Sequence, residues 1–180
     1  MALLTFLRQA NKKIKAIFFH HGTETSSIAE RFLKKYCEDQ DINLTVGYID
    51  GVKPKKDSHE EWWRKQRYGF FNSLPEVIAT AHHLNDVAET YIWGCINGTP
   101  RFPYHKIENV VRPFLLVPKS KLISLCLDKN VPWVDDSSNN NMRFSRNRIR
   151  KNIIPEVLEI NPGFLKVVGR LYTKNISLYP

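Results

Sequence analysis

Cysteine is scarce in this 180-residue chain: Cys37, Cys95 and Cys126 are the only three, at unrelated spacings and with no C-x-x-C pair. That argues against a disulfide framework, a cysteine-held zinc site and an iron–sulfur cluster. No apolar run approaches the ~20 residues of a membrane-crossing helix. The opening, Met1-Ala-Leu-Leu-Thr-Phe-Leu-Arg8, has neither a basic leader region nor a small-residue cleavage site, so a secretory signal is not expected and a cytoplasmic location is. There is no internal repeat and no low-complexity linker. Acidic residues are also in deficit, 18 against 27 Lys and Arg, for a formal charge of +9 and a pI near 9.5. A basic excess is the electrostatic footprint of a polyanion binder, although by itself it is equally met in proteins that hold nucleic acid only non-specifically.

What is present is a pattern of short buried strands separated by helices. Ile14–His20, Leu44–Ile49 and Val77–Ala81 are apolar, β-branched or aromatic, and a fourth run, Val110–Leu116, closes at Pro118. Between them, Ser26–Cys37 places Ile28, Ala29, Phe32, Leu33 and Tyr36 on one helical face. Ser58–Phe71 opens with Ser58 as N-cap and Glu61 three residues on, a capping-box spacing. This alternation predicts an α/β fold with a mostly parallel, helix-covered sheet. After Pro118 the pattern changes: a helix over Lys119–Asp128, an extended Val131–Val134, the polar run Asp135–Asn141, and helices over Phe144–Leu158 and Phe164–Ile176. The expected division is an α/β core over 1–130 and a basic helical tail over 131–180.

Three clusters carry the chemistry. Ala81-His-His-Leu-Asn-Asp-Val-Ala-Glu-Thr90 follows the third strand, where open α/β sheets place their sites. Asp86 and Glu89 share a helical face there, which suits Mg²⁺ coordination, general-base work or capture of an amine. It equally suits the positive end of a helix dipole. His82 and His83 are adjacent, so their side chains diverge and a packing or polar-contact role is expected. In Glu60–Tyr68, Arg64 and Arg67 lie three apart with Trp63 and Tyr68 beside them, an arrangement able to hold a phosphate and stack on a base, or simply to form a solvated basic face. Arg143-Phe-Ser-Arg-Asn-Arg-Ile-Arg-Lys151 packs Arg143, Arg146, Arg148, Arg150 and Lys151 into nine residues. Like charges at this density repel one another, and contact with a nucleic-acid backbone is their natural use.

Taken in order, Arg64…Arg67-Tyr68, HHLNDVAET, Arg112-Pro-Phe-Leu115, Asp136-Ser-Ser-Asn139, Arg146-Asn-Arg-Ile-Arg150 and Asn161-Pro162 resemble the motif series of the tRNA(Ile)-lysidine synthetases. The resemblance implies a Rossmann-like ATP-pyrophosphatase fold. It also implies a reaction in which ATP adenylates the carbonyl oxygen of the wobble cytidine in an isoleucine tRNA anticodon, after which free lysine displaces AMP. On this resemblance Asp86, Glu89, Arg64, Arg112 and Arg146 are the catalytic set. His21, Gly22 and His82 lie on the ATP side, Asp86 is the Mg²⁺ ligand, and Arg67, Arg143, Arg148, Arg150 and Lys151 contact tRNA.

Two departures from the family pattern matter. Asn85-Asp86-Val87 stands where members read Asp-Asp-Gln. The first strand and its Ser-Gly-Gly-x-Asp-Ser loop, whose N–H groups cradle ATP phosphates, do not occur. Phe19-His-His-Gly22 aligns with the family's second-strand turn, so the chain is expected to begin just after that loop, with Met1–Arg8 as the following helix. It ends at Pro180, where larger members carry further tRNA-gripping domains, which leaves the grip to the basic helices. A homodimer, or a second chain supplying the loop, would complete the site. The competing expectations are a non-catalytic tRNA-binding remnant that has lost ATP binding, and a related tRNA thiolase. The latter is disfavoured by the lack of paired cysteines.

Overall fold

The structure, a computed structural model, describes residues 1–10, 13–135 and 141–178, with side chains through residue 176. The chain runs α1 (Ala2–Gln9), β1 (Ala16–His20), α2 (Glu24–Asp39), β2 (Leu44–Tyr48), α3 (His59–Asn72), β3 (Ile78–Ala79), α4 (Leu84–Ile96), β4 (Lys106–Ile107), β5 (Val110–Val111) and α5 (Lys119–Asp128). It then continues through α6 (Ser145–Arg148), a π-helical turn (Ile149–Ile153), α7 (Ile154–Ile160) and α8 (Phe164–Leu178). This is the Rossmann-like α/β architecture expected from the sequence. No helix among the described residues is long and apolar enough to cross a membrane.

The strands form two separate ladders. β1 pairs in parallel with β2, from Ala16 opposite Leu44 to His20 opposite Tyr48. β5 lies between β3, parallel to it, and β4, antiparallel to it. The antiparallel edge strand was not expected from the sequence. The third and fourth strands are also shorter than Val77–Ala81 and Val110–Leu116. The Arg112 N–H still donates to the His105 carbonyl at 2.9 Å, one step further along the antiparallel register with β4, and Pro113, with no N–H to donate, interrupts the ladder there. Phe114 then touches the ladder once more, through an isolated parallel bridge to His83.

Two helices differ from their sequence patterns. In α2 the inward side carries Ser26, Glu30 and Cys37, while Ile28, expected on the apolar face, is exposed. Glu30 is buried because it accepts a 2.8 Å hydrogen bond from the Tyr48 hydroxyl and pairs with Lys34 at 2.7 Å, so a polar network occupies part of the face that apolar periodicity assigned to carbon. The expected helix over Phe144–Leu158 is broken into α6, the π turn and α7, with Pro155 in the first turn of α7. Proline cannot donate to the carbonyl one turn back, and a widened turn is one way for a helix to pass that defect. At α3 half of the capping box forms: Ser58 Oγ accepts from the Glu61 N–H at 3.1 Å, but the Glu61 carboxylate pairs with Lys65. The expected extended stretch Val131–Val134 joins no sheet; its first N–H closes α5 by donating to the Cys126 carbonyl at 2.8 Å.

Burial is concentrated in three clusters. Leu84, Val87, Ala88 and Leu115 pack with Ile149, Ile154, Val168 and Tyr172, so the segments before and after residue 130 share one core. Ala2 and Leu3 of α1 meet Leu122, Cys126, Val131 and Phe114 on another side. Phe71, Ile78 and Val110 form the third, between α3 and the sheet.

Candidate functional site

The site is assembled at the carboxyl ends of β3 and β5, where backbone leaves the sheet. Thr80-Ala81-His82-His83 connects β3 to α4. The first turn of α4 is fixed by Asp86, whose Oδ2 accepts the His83 N–H at 2.8 Å and lies 3.2 Å from His83 Nδ1. α3 presents Arg67 and Tyr68 to the same place, and together with Phe71, Thr80, Ala81, His82 and Asp86 they enclose an open pocket of about 340 Å3.

Arg67 lines this pocket, and the guanidinium groups of Arg64, Arg112 and Arg146 lie near enough to act on its charge. Arg112, only 6% exposed, donates to the Tyr104 carbonyl and to the Tyr68 hydroxyl, each at 2.6 Å, while its Nε is buried with no hydrogen-bond partner. Arg64 lies over the Tyr68 ring, 4.5 Å from the centroid, and Arg67 lies 5.9 Å from it. Burial lowers the Arg67 guanidinium from its usual range, and the neighbouring charges of Arg64, Arg146 and Arg112 push the same way. Related effects act on His82. Burial brings its imidazole down to about 4; Asp86 pulls the other way, and Arg112, Arg67 and Arg146 each add a smaller lowering push. His82 is therefore neutral near pH 7, with Nδ1 2.9 Å from the Thr80 hydroxyl.

The acidic half is arranged differently. Glu89, 2% exposed, is gripped by Arg150 through a fork of 2.7 Å and 2.9 Å bonds. That bond raises the Arg150 guanidinium above its usual range. Arg150 Nη2 also lies 3.8 Å from Asp86 Oδ1, so one cation serves both carboxylates. Arg150, expected to face nucleic acid, therefore turns inward. Arg143, Arg146, Arg148 and Lys151 stay exposed. Arg146 joins the pocket cluster electrostatically, whereas Arg150, four residues on, serves the acids behind it.

His21 and Gly22 stand apart from this pocket, at the end of β1. His21 packs against Phe19 and Trp63, with ring centroids 5.2 and 5.4 Å away. Gly22 takes φ +73°, a conformation that favours glycine. Asp136–Asn139, part of the sequence pattern, lies outside the described residues. Two residues named from the sequence take structural roles that it did not assign. Tyr68 ties Arg64, Arg67 and Arg112 together, and its position one helical turn after Arg64 was the available signal. Asn85 caps α5: its Oδ1 accepts the Lys119 N–H at 2.9 Å, which gives this departure from the family pattern a structural use. Val87, the other departure, is fully buried.

The donor set fits a phosphate-bearing anion: planar guanidinium forks, one with a buried unsatisfied Nε, and no carboxylate in the pocket other than Asp86. It does not by itself make a resident metal site. Among the described residues no three His, Cys, Asp or Glu side chains converge, and Asp86 is already bonded to the His83 N–H.

Comparison with known proteins agrees with this geometry. A family model described as a PP-loop domain matches residues 1–157. The tRNA(Ile)-lysidine synthase of Thermotoga maritima is 34% identical over 188 aligned residues, covering 95% of this chain and 45% of that protein. The enzyme of the same name from Porphyromonas gingivalis is 32% identical, covering 94% and 41%. The chain thus spans less than half the length of these relatives. Among solved structures, the U34-tRNA thiolase NcsA from Methanococcus maripaludis, with its 4Fe-4S cluster, superposes at a TM-score of 0.72 and 16% identity, covering 98% of this chain and 67% of that one. With a family match over most of its length, this chain belongs to the PP-loop domain family.

Proposed function

We propose that this chain is the nucleotide-chemistry domain of a tRNA(Ile)-lysidine synthetase-like ligase, acting on the wobble cytidine of an isoleucine tRNA with ATP and free lysine. The observation that carries the reading is the gathering of Arg64, Arg112 and Arg146 near Arg67, which lines one pocket with Asp86. Homologues named for this activity, which match nearly the whole chain, support it.

The chemistry needs two steps. The cytidine carbonyl oxygen attacks the α-phosphorus of ATP and pyrophosphate leaves. The lysine amine then attacks the ring carbon, loses a proton, and AMP departs carrying the oxygen. Negative charge grows on phosphate oxygens in the first step and on departing AMP in the second, and guanidinium groups fixed in advance stabilise both. Arg112 is held by Tyr68 and Tyr104, so it needs little reorganisation. Arg64 and Arg146 are exposed and close over phosphate or the activated base. Neutral His82 serves as a hydrogen-bonding wall rather than a further cation. Asp86 is the more accessible carboxylate and receives the lysine ammonium or its proton. A Mg²⁺ carried on the nucleotide phosphates is compatible with one such carboxylate, though the described residues do not hold a metal alone. The exposed Arg143, Arg148 and Lys151 grip the RNA backbone.

A second reading, a tRNA-binding protein without catalysis, is favoured by one observation: Glu89 is saturated by the Arg150 fork and cannot receive substrate without breaking it. The deciding experiment incubates the chain, with and without a supplied phosphate-loop segment, with isoleucine tRNA transcript, ATP and radiolabelled lysine. Lysine transfer with equimolar AMP release is expected. Salt-sensitive tRNA binding without lysine transfer under either condition would establish the second reading, and absence of tRNA binding would remove both.

A further inference from the structure

The connection from α4 to β4 has little regular structure, yet it is held at several points. Gly94 lets it cross α4 closely, since a Cβ there would lie 2.6 Å from the Thr99 carbonyl oxygen. Pro100 and Pro103 restrict its backbone. Phe102 lies flat against Tyr91, with ring centroids 5.1 Å apart and planes 6° from parallel, and meets the buried Tyr172 edge-on at 5.9 Å. Arg112 closes the segment from its far end. Its guanidinium donates to the Tyr104 carbonyl at 2.6 Å, and its backbone N–H to the His105 carbonyl at 2.9 Å.

Within this fixed segment Tyr104 stands out. Its backbone is tied down while the residue is 70% exposed. Arg101, His105 and Lys106 around it are exposed too, against one acid, Glu108. An aromatic ring left in water on a fixed backbone offers contact area without a cost for ordering the chain beneath it. The position is also informative. The guanidinium that holds the Tyr104 carbonyl donates from its other terminal nitrogen to the Tyr68 hydroxyl at 2.6 Å, and Tyr68 lines the strand-end pocket. One guanidinium therefore links the Tyr104 backbone to the pocket wall. A ring flanked by cations suits single-stranded nucleic acid, because the cations follow the backbone and the ring stacks on a base. A protein partner would call for apolar neighbours around the ring, and the flanking residues here are basic.

We propose that Tyr104 is the stacking platform for an unpaired RNA base next to the nucleotide held in the pocket, with Arg101 and Lys106 on the phosphates that flank that base. The contact determines specificity and takes no part in the chemistry. Stacking accepts any base, since every base has a flat face, but it needs one that is free of a duplex. Tyr104 thus selects a substrate in which the neighbour of the modified nucleotide is unpaired, as in a hairpin loop. This rests on the function proposed above and deepens it. Its test reads binding and not lysine transfer, so the two can fail separately.

The test is fluorescence anisotropy with the 180-residue chain and an end-labelled RNA hairpin carrying an isoleucine anticodon loop. Two further hairpins lack the base on one or the other side of the wobble cytidine. Tyr104→Ala is expected to weaken binding of the intact hairpin about 5- to 150-fold, the worth of one stacked base, while Tyr104→Phe binds like the parent. One abasic hairpin should bind the parent more weakly by a similar factor and lose nothing more with Tyr104→Ala, as a shared contact requires. The salt dependence should keep its slope in Tyr104→Ala and lose about one unit of slope in Arg101→Ala. Parent-like binding by Tyr104→Ala overturns the proposal. So does a loss that adds in full to both abasic losses, or an equal loss in Tyr104→Phe. These results bear on Tyr104 alone, whereas a parent chain that binds no hairpin would remove the proposed function together with this contact.

Discussion

Replacing Arg150 by alanine should cost far more than replacing the residue it binds. Glu89 is 2% exposed, whereas the Arg150 side chain is 34% exposed. Removing Arg150 leaves a carboxylate buried without its cation, a situation that costs about 3–5 kcal/mol. Removing Glu89 leaves a guanidinium that reaches water and already lies 3.8 Å from Asp86, so Glu89→Leu should cost about 1–2 kcal/mol. At about 2–4 °C per kcal/mol for a chain of this size, Arg150→Ala should lower Tm by roughly 10 °C and Glu89→Leu by only a few degrees. Combining Glu89→Leu with Arg150→Met substitutes carbon for both charges and should recover most of the loss.

Thermal unfolding by circular dichroism measures both losses. Equal losses for the two single variants, or no recovery in the double variant, would refute the buried-carboxylate reasoning.

Other expectations follow from the same geometry. Arg112→Lys keeps the charge but cannot reach the Tyr68 hydroxyl and the Tyr104 carbonyl together, so it should destabilise by about 2 kcal/mol in urea unfolding. His82 titrates at about 4 when folded against 6.5 ordinarily, so the unfolded chain takes its proton first. This residue therefore removes up to about 3 kcal/mol of stability as pH falls from about 6.5 to 4, and His82→Gln should flatten that part of the stability profile. Pyrophosphate bound among the arginines should raise the His82 pKa, read by NMR of the imidazole; an ordinary value near 6.5 in the unliganded chain would contradict the burial. Gly94→Ala should cost about 1–3 kcal/mol, because its Cβ would lie 2.6 Å from the Thr99 carbonyl oxygen and 2.9 Å from the Arg101 nitrogen, both backbone atoms. Wild-type Tm in that variant would mean the 99–101 loop gives way.

Periodicity and turn chemistry placed much of the architecture in advance, because each is a local property of the chain. Ser58 before α3, the run IKAIFFH at β1 and the amphipathic Lys119–Asp128 each declare their element within a few residues. The clustering of Arg64 with Arg67, and of Asp86 with Glu89, was legible for the same reason, since three-residue spacing puts side chains on one helical face. Order along the chain carried the family. Pairing between distant residues was not legible. No local rule says that Arg150 folds inward onto Glu89, 61 positions earlier, while Arg146 on the same segment joins Arg67 and Arg112. That choice depends on which helix lies opposite, and a buried carboxylate claims the nearest guanidinium whatever its sequence neighbours suggest. The exposure of Ile28, the early end of β5 and the antiparallel β4 have the same origin in partners set by packing. The sequence by itself determined the α/β class, the strand-end position of the acids and the basic character of the surface. Only the tertiary structure decided which arginines gather beside the strand-end pocket and which one neutralises the buried carboxylate, and that the strands form two separate ladders, because both depend on contacts between segments that no local pattern encodes.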